Sequence, residues 1–377
     1  MKAMLKTFLV VAGILLLSTF AFASNDNARV RVLAHKDQEV SDALAMGCTV
    51  VKEVKGLKAL VCPEDAASSL GLQEDIQMFA LDSGANTQIK ADLVQASGNT
   101  GAGRKIVILD TGYNYNHPEL SSSYLGGKDF VNNDSDPFDD NGHGSHVAGI
   151  ITGDGIVAKA KGVAPDAGIL SAKVLDASGN GYFSDMVAAI YWAVDGPDGI
   201  YGTVDDFNAD AISMSIGTKA PYLYKGYCDG VMPDLTNAIK YAKDNGVTVV
   251  VAAGNSGNPG VSLPGCISYS TTVGAVDKYD KVASFSGRGG AVDVTAPGVS
   301  IYSAWLGTNY ATASGTSMAT PAVSAVVALI KSAHSAYTPT QVENSLFKSA
   351  KDLGKAGWDS SYGWGRVDAQ AAVNYAS

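Results

Sequence analysis

GTSMATPAVSAVVALIK, residues 315–331, is apolar on every side once past its first turn. The run predicts a helix over Thr316–Lys331, and a helix with no polar face is normally a buried one. Ser317 stands in the first turn, where serine most often caps the helix. The same position also suits a nucleophile aimed into a cleft by a helix N-terminus. The flanking chain has to decide between these uses.

Working outward, hydrophobic runs and helical periodicities alternate. Strands are expected at Lys105–Leu109, Ile169–Val174, Ala211–Ile216, Val247–Ala252 and Thr271–Val276. Helices are expected at Gly144–Thr152, Phe183–Val194, Leu235–Asn245 and Thr340–Ala350, besides the one already named. This alternation predicts an α/β fold of three layers, a doubly wound and mostly parallel sheet with helices on both faces. In such sheets the reactive side chains gather at the carboxyl ends of the strands.

Residues 24–82 have a different texture. Strand, helix, hairpin, helix and strand are expected at Val30–Leu33, Glu39–Met46, Thr49–Val54 with Leu57–Cys62, Glu64–Leu70 and Ile76–Leu81. That order is a small α+β, ferredoxin-like split βαβ unit. Asp82-Ser-Gly-Ala-Asn86 reads as the linker to a larger domain over residues 83–377.

At 377 residues, 46% hydrophobic and 17% charged, the chain is long and apolar enough for one large core and a small one. A formal charge of −10 without any basic run argues against a nucleic-acid partner. Lys2 and Lys6 precede an apolar segment, Phe8–Leu17, and then Ala21-Phe22-Ala23. Residues 1–23 therefore read as a secretory signal whose apolar core is too short to span a bilayer, and no other stretch is expected to span one. Export to the periplasm or medium permits disulfides. Cys48 and Cys62 flank the Lys55-Gly56 turn symmetrically, so a cross-strand bridge and two buried thiols are both open.

The rule about strand ends finds its objects in three segments. Lys105-Ile-Val-Ile-Leu109 runs into Asp110; Asn141-Gly-His-Gly-Ser-His146 puts His143 at a helix start; Ser317 opens the apolar helix. Asp, His and Ser in this chain order form one of the sequences in which a catalytic triad occurs. A serine needs an imidazole to take its proton and a carboxylate to orient that imidazole. Val247–Ala252 leads into Ala253-Gly-Asn-Ser-Gly257, which places Asn255 at another strand end as a donor to a developing oxyanion. His143 and His146 have the spacing of a zinc pair, but the Glu of a zinc-protease helix is missing and no third ligand is indicated. His146 is expected to pack inside its helix.

ILDTGYNYNHPEL, NGHGSHVAG, VVVAAGNSG and GTSMATPA, in this order, resemble the signature segments of the subtilisin-like serine proteases, and the likeness extends from about residue 87 to Tyr362-Gly-Trp-Gly-Arg-Val-Asp368. The resemblance implies a serine endopeptidase in which Asp110 orients His143, His143 acts as base and acid, Ser317 attacks and Asn255 supports the oxyanion. It implies that residues 24–82 are an inhibitor-like propeptide whose strand Ile76–Leu81 lies across the cleft until cleavage near Leu81–Ser83. It further implies a pocket for the residue before the cleaved bond, walled by Ser215-Ile216-Gly217 and Ala252-Ala253-Gly254, with Ser262-Leu263-Pro264 as its base. No acid occurs in these stretches, so apolar or aromatic side chains are expected there over basic ones. A Cys228–Cys266 disulfide bracing the rim and a cis Leu263–Pro264 bond follow from the same resemblance.

Two acidic loops suit calcium, a cation that prefers hard oxygen ligands. One holds Asp134, Asp136 and Asp139; the other holds Asp195, Asp198, Asp205 and Asp206. A further calcium loop common in relatives is doubtful here, because Asp154-Gly-Ile-Val-Ala-Lys159 lacks their asparagines and Glu119 replaces their aspartate. The expected protein is thus a monomeric, secreted protease acting on polypeptides and held by its own propeptide. The competing expectation, an inactive calcium-binding extracellular protein of the same fold, sits poorly with an intact set of Asp110, His143, Asn255 and Ser317.

Overall fold

The computed structural model describes residues 29–54, 57–74 and 84–376. They fall in two compact units. In the first, β1 (Arg29–Ala34), α1 (Asp37–Ala45), β2 (Thr49–Val54), β3 (Leu57–Pro63), α2 (Glu64–Ser69) and β4 (Gln73–Glu74) follow one another. The sheet order β2-β3-β1-β4, with β1 antiparallel to both neighbours, is that of a split βαβ unit. Its fourth strand lies at Gln73–Glu74; the expected Ile76–Leu81 strand, the signal segment and the cleavage region fall outside the described residues. Cys48 and Cys62 form a disulfide, next to the Thr49–Val61 pair of the β2–β3 ladder.

The second unit begins with α3 (Gly84–Gln88) and α4 (Ala91–Ala96). The expected linker is therefore partly helical. Asn86 is buried and donates from Nδ2 to the carbonyls of Lys161 and Gly162, which anchors this stretch to the large unit. Next come β5 (Lys105–Asp110), β6 (Tyr124–Asp129), α5 (His143–Thr152), a 3-10 turn (Ala158–Ala160), β7 (Gly168–Lys173) and α6 (Phe183–Asp195). They are followed by β8 (Ala211–Met214), β9 (Leu223–Tyr224), α7 (Pro233–Asp244), β10 (Thr248–Ala252), β11 (Val261–Ser262) and β12 (Thr271–Val276). The chain ends with β13 (Val294–Pro297), β14 (Ile301–Ala304), β15 (Tyr310–Ala313), α8 (Thr316–Ala333), α9 (Pro339–Lys348) and α10 (Ala369–Val373).

Seven strands form one parallel sheet in the order β13-β12-β10-β8-β5-β7-β6. The period-2 alternation of strands splits their side chains between two cores. Ile106, Ile108 and Val250 face the core shared with α5 and α8, while Val107, Leu109, Val249 and Val251 face the core shared with α6 and α7. Being covered on both faces explains why these strands are unbroken apolar runs. Two strands of this sheet have no counterpart among the expected ones, and both are its edges. Tyr124-Leu-Gly-Gly-Lys-Asp129 carries two glycines and Val294-Thr-Ala-Pro297 ends in proline, so neither has a strong strand signature.

Helix α8 is long and apolar enough by composition to cross a membrane, which the sequence reading denied for any stretch after the signal. Its residues from Met318 to Ile330 are buried instead, packed against β8, β10, β12 and α5. It is the central core helix.

Candidate active site

The sheet brings the carboxyl ends of β5, β8 and β10 side by side. Asp110 is the last residue of β5 and is almost wholly buried. Its Oδ1 lies 2.7 Å from His143 Nδ1 and also accepts the Thr111 amide at 2.7 Å. His143 is the first residue of α5, held there by a tight fit between the helix start and the turn after β5. A Cβ on Gly144 would sit 2.1 Å from the Gly112 carbonyl oxygen, so only glycine lets α5 begin this close.

A second carboxylate fixes this junction. Asp139 is fully buried and accepts from the amides of Asn141, Gly142 and Ser145 and from the hydroxyls of Thr111 and Ser145, at 2.6 to 3.0 Å. These amides belong to the α5 N-terminus, where helix donors lack partners and negative charge is favoured. Burial alone would push the Asp139 carboxyl up, but the Gly142 amide and the Ser145 donors outweigh it and hold it below the usual carboxylate range. Lys173, 2% exposed, completes the floor, with Nζ donating to the carbonyls of Thr111 and Leu175 and to Asp140 Oδ1. Nothing in the sequence signals Lys173, apart from its position at the carboxyl end of β7.

For His143, burial disfavours the imidazolium. The Asp110 charge and hydrogen bond, together with the Asp139 charge, favour it more, and the net pKa lies above 6.5. His146 is the opposite case. It is fully buried, with Nε2 facing the carbonyls of Ile301 and Ala311, and burial lowers its pKa to about 4. As expected, it packs inside.

Ser317 lies in the first turn of α8, tied reciprocally to the end of β8. Its Oγ donates to Ser215 O at 3.1 Å, and Ser215 Oγ donates to Ser317 O at 2.8 Å. Asn255 follows β10, and its Oδ1 accepts both the amide and the hydroxyl of Thr316, at 2.8 and 3.0 Å. With Oδ1 so occupied, the Nδ2 donors are left for another acceptor. A Cβ on Gly315 would come within 3.2 Å of Nδ2, so glycine there keeps this donor uncovered.

Beside Ser317 lies a cavity of about 300 Å³, lined by Ile216, Gly217, Ala252, Gly254 and Ser262 among others. Ser215 and Ala253 serve behind this lining, Ser215 through its bonds to Ser317 and Ala253 through its carbonyl, which accepts the Ser262 amide at 2.9 Å. Leu263–Pro264 is cis, as is Ala220–Pro221, and Cys228 is bonded to Cys266.

The carboxylates suggested for calcium are engaged within the chain. Asp134 accepts the Asp136 amide, Asp136 accepts the Tyr115 hydroxyl, and Asp139 serves α5 as described. Asp195 accepts from Tyr241, Asp198 from the Ile200 amide, Asp205 from the Asp198 amide and Thr203, and Asp206 from the Gly202 amide. Among the described residues, no three His, Cys, Asp or Glu side chains come together as a metal-holding group. The loop after α5 is arranged against a cation. Its amides at Gly155, Ile156 and Val157 point inward and donate to the buried Glu119 carboxylate at 2.6, 3.1 and 2.7 Å, joined by Tyr310 OH at 3.0 Å. A calcium loop would have to present oxygens there. The loop after α5 does not fit the ion, and no chemistry below is routed through calcium.

Comparison with known proteins agrees with this geometry. The profile of the subtilase family matches residues 101–365. The chain is 38% identical over 275 residues to a thermophilic serine proteinase of Bacillus sp. strain AK1, covering 73% of this chain and 62% of that protein. It is 36% identical to subtilisin Savinase of Lederbergia lenta over 76% of this chain and 97% of that one. With subtilisin DY of Bacillus licheniformis the identity is 37%, over 76% and 96%. A parallel α/β sheet, with Asp110, His143, Asn255 and Ser317 at its strand ends and helix starts, thus belongs to a chain of the subtilase family, the serine endopeptidases of the subtilisin type.

Proposed function

We propose that this protein is a secreted serine endopeptidase in which Asp110, His143 and Ser317 form the catalytic triad and Asn255 the side-chain part of the oxyanion hole. The observation that carries the reading is the 2.7 Å bond from Asp110 to His143 Nδ1, in a unit that also brings Ser317 and Asn255 to the neighbouring strand ends. With Nδ1 protonated and held by the carboxylate, Nε2 is the basic nitrogen. In the resting arrangement Ser317 Oγ donates to Ser215 O. Rotation about its Cα–Cβ bond turns the hydroxyl toward His143, a tightening that unliganded sites commonly leave to the substrate complex.

Ser317 Oγ then attacks the peptide carbonyl carbon while its proton passes to His143 Nε2. The carbonyl oxygen becomes an oxyanion, met by Asn255 Nδ2 and by the Ser317 amide, which has no helical partner in the first turn of α8. His143 returns the proton to the departing amine as the C–N bond breaks. A water molecule then hydrolyses the acyl-enzyme by the same proton path. Residues 24–82 act as an inhibitory propeptide removed by the enzyme itself, and the cavity beside Ser317 takes an apolar or aromatic side chain.

The test is expression of the full chain beside Ser317→Ala. The wild type shortens to about residue 83 onward and digests casein, whereas the variant keeps its propeptide and digests nothing. Equal processing and equal digestion by both would remove Ser317 from the role of nucleophile.

A further inference from the structure

The cavity beside Ser317 has one charged residue in its lining, Lys219, and no acid. A neighbouring cavity of about 330 Å³, which shares Ile216, Gly217, Thr218 and Lys219 with the first, likewise has no acid in its lining. Lys219 therefore stands on the ridge between two otherwise uncharged hollows of a chain whose formal charge is −10. Elsewhere in the large unit Lys173 is paired with Asp140 and Lys243 with Glu343. Lys219 is exposed, its carbonyl accepts the Tyr222 amide at 3.0 Å, and its ammonium has no hydrogen bond or ion pair with a described residue.

Its backbone, by contrast, is fixed. Thr218 Oγ1 donates to Tyr222 O at 2.7 Å and accepts the Leu263 amide at 3.1 Å, while Ser262 Oγ donates to Thr218 O at 3.0 Å. These bonds pin the residue before Lys219 to the base of the cavity that Ser262 lines. The flexible four-carbon stem then leaves the ammonium free to follow an anion at the cavity mouth, the behaviour expected of a lysine rather than an arginine. A cation at the edge of a cleft with low-dielectric walls acts on a bound charge more strongly than one in open water.

We infer that Lys219 makes this cleft accept peptides with a carboxylate side chain immediately before the scissile bond, alongside apolar ones, and exclude lysine and arginine there. The inference rests on the proteolytic reading above and on the cavity beside Ser317 receiving that side chain.

The test compares matured wild-type enzyme with Lys219→Gln and Lys219→Glu on succinyl-Ala-Ala-Pro-X p-nitroanilides, X being Phe, Gln, Glu or Lys. Glu and Gln have nearly the same shape, so their ratio of kcat/KM isolates charge. In the wild type at low ionic strength, Glu is cleaved about fivefold faster than Gln, the factor that about 1 kcal/mol of partly screened attraction supplies. The advantage shrinks in 0.5 M NaCl. Lys219→Gln removes it, and Lys219→Glu reverses it and admits Lys. Should a variant fail to mature, the salt dependence of the wild-type ratio decides. A Glu/Gln ratio at or below one in the wild type, or one that the Lys219 substitutions leave unmoved, overturns the inference while leaving the protease intact. Absence of any cleavage of the Phe, Gln and Glu peptides by the wild type would instead overturn the proteolytic reading itself.

Discussion

Glu119→Gln is the most direct probe of how the α5 loop is held. Glu119 is fully buried and accepts four hydrogen bonds, from the amides of Gly155, Ile156 and Val157 and from Tyr310 OH. A glutamine keeps one oxygen. Its best placement puts that oxygen on the Gly155 and Ile156 amides and its NH2 on the side of Val157 and Tyr310. The tyrosine hydroxyl can turn to accept, but the Val157 amide faces a donor and is left unpaired, which costs about 1–3 kcal/mol. The two remaining amide bonds lose their charge assistance, a further loss of roughly 0.5–1 kcal/mol in all. The expected destabilisation is therefore about 1.5–4 kcal/mol, or roughly 3–7 °C in Tm for a domain of this size. The measurement belongs in a Ser317→Ala background, which removes self-digestion, with calorimetry and hydrogen exchange at Gly155–Val157, in EDTA and in millimolar calcium. The parent protein protects these amides equally with and without calcium, and Glu119→Gln exposes them in both. Protection that appears only when calcium is added, or a substitution that leaves Tm unchanged, would refute the carboxylate clamp.

Two further predictions concern pH. His143 must be neutral to act as a base, and its pKa is raised above 6.5 by Asp110 and Asp139 in spite of burial, so kcat/KM climbs with pH through a midpoint above 6.5; an acid limb centred at or below 6.5 contradicts the pairing. Asp293, at the amino end of β13, is raised to about 7, chiefly by burial, with the Thr272 amide and Lys243 opposing and Glu343 adding to it. A carboxyl that holds its proton more tightly when folded stabilises the fold at low pH and loses that contribution as pH rises through about 7. Asp293→Asn keeps an acceptor for the Thr272 amide and should stabilise the protein at pH 8–9, by up to about 4 kcal/mol, with no gain near pH 4. Urea midpoints across this range check it, and a pH-independent difference would sink it.

The central strands and the core helices were legible because their residues are apolar on every face that the fold covers, as in Val247–Ala252 and Val323–Ile330. The candidate catalytic residues were legible for a related reason. Each ends a strand or starts a helix within a short, glycine-marked segment. What escaped is held by contacts between distant segments. Lys173 lies 62 residues from the Thr111 carbonyl that it binds, and Glu119 is 191 residues from Tyr310. No local pattern encodes such a meeting. Lys219 was passed over although it lies two residues beyond the expected wall, because a lone surface lysine looks the same whether or not a cavity opens beside it.

Asp139 shows that a carboxylate in an acidic loop can serve the backbone of a neighbouring helix. Read along the chain, Asp134, Asp136 and Asp139 suggest a cation; in the fold, Asp139 meets the unpaired amides that open α5. Glu119 does the corresponding work in the loop beyond the other end of the same helix, taking the Gly155–Val157 amides. The helix that carries His143 is thus braced at both ends by buried carboxylates of the chain itself. Backbone amides are the partners in both places, so neither clamp depends on a surface ion pair that salt would screen. Because Thr111 Oγ1 both donates to Asp139 and accepts the Gly144 amide, the α5 clamp and the Asp110 turn form one network. A substitution that loosens Asp139 should therefore displace the imidazole from Asp110 before it unfolds the domain, and its first symptom should be a lower kcat rather than a lower Tm.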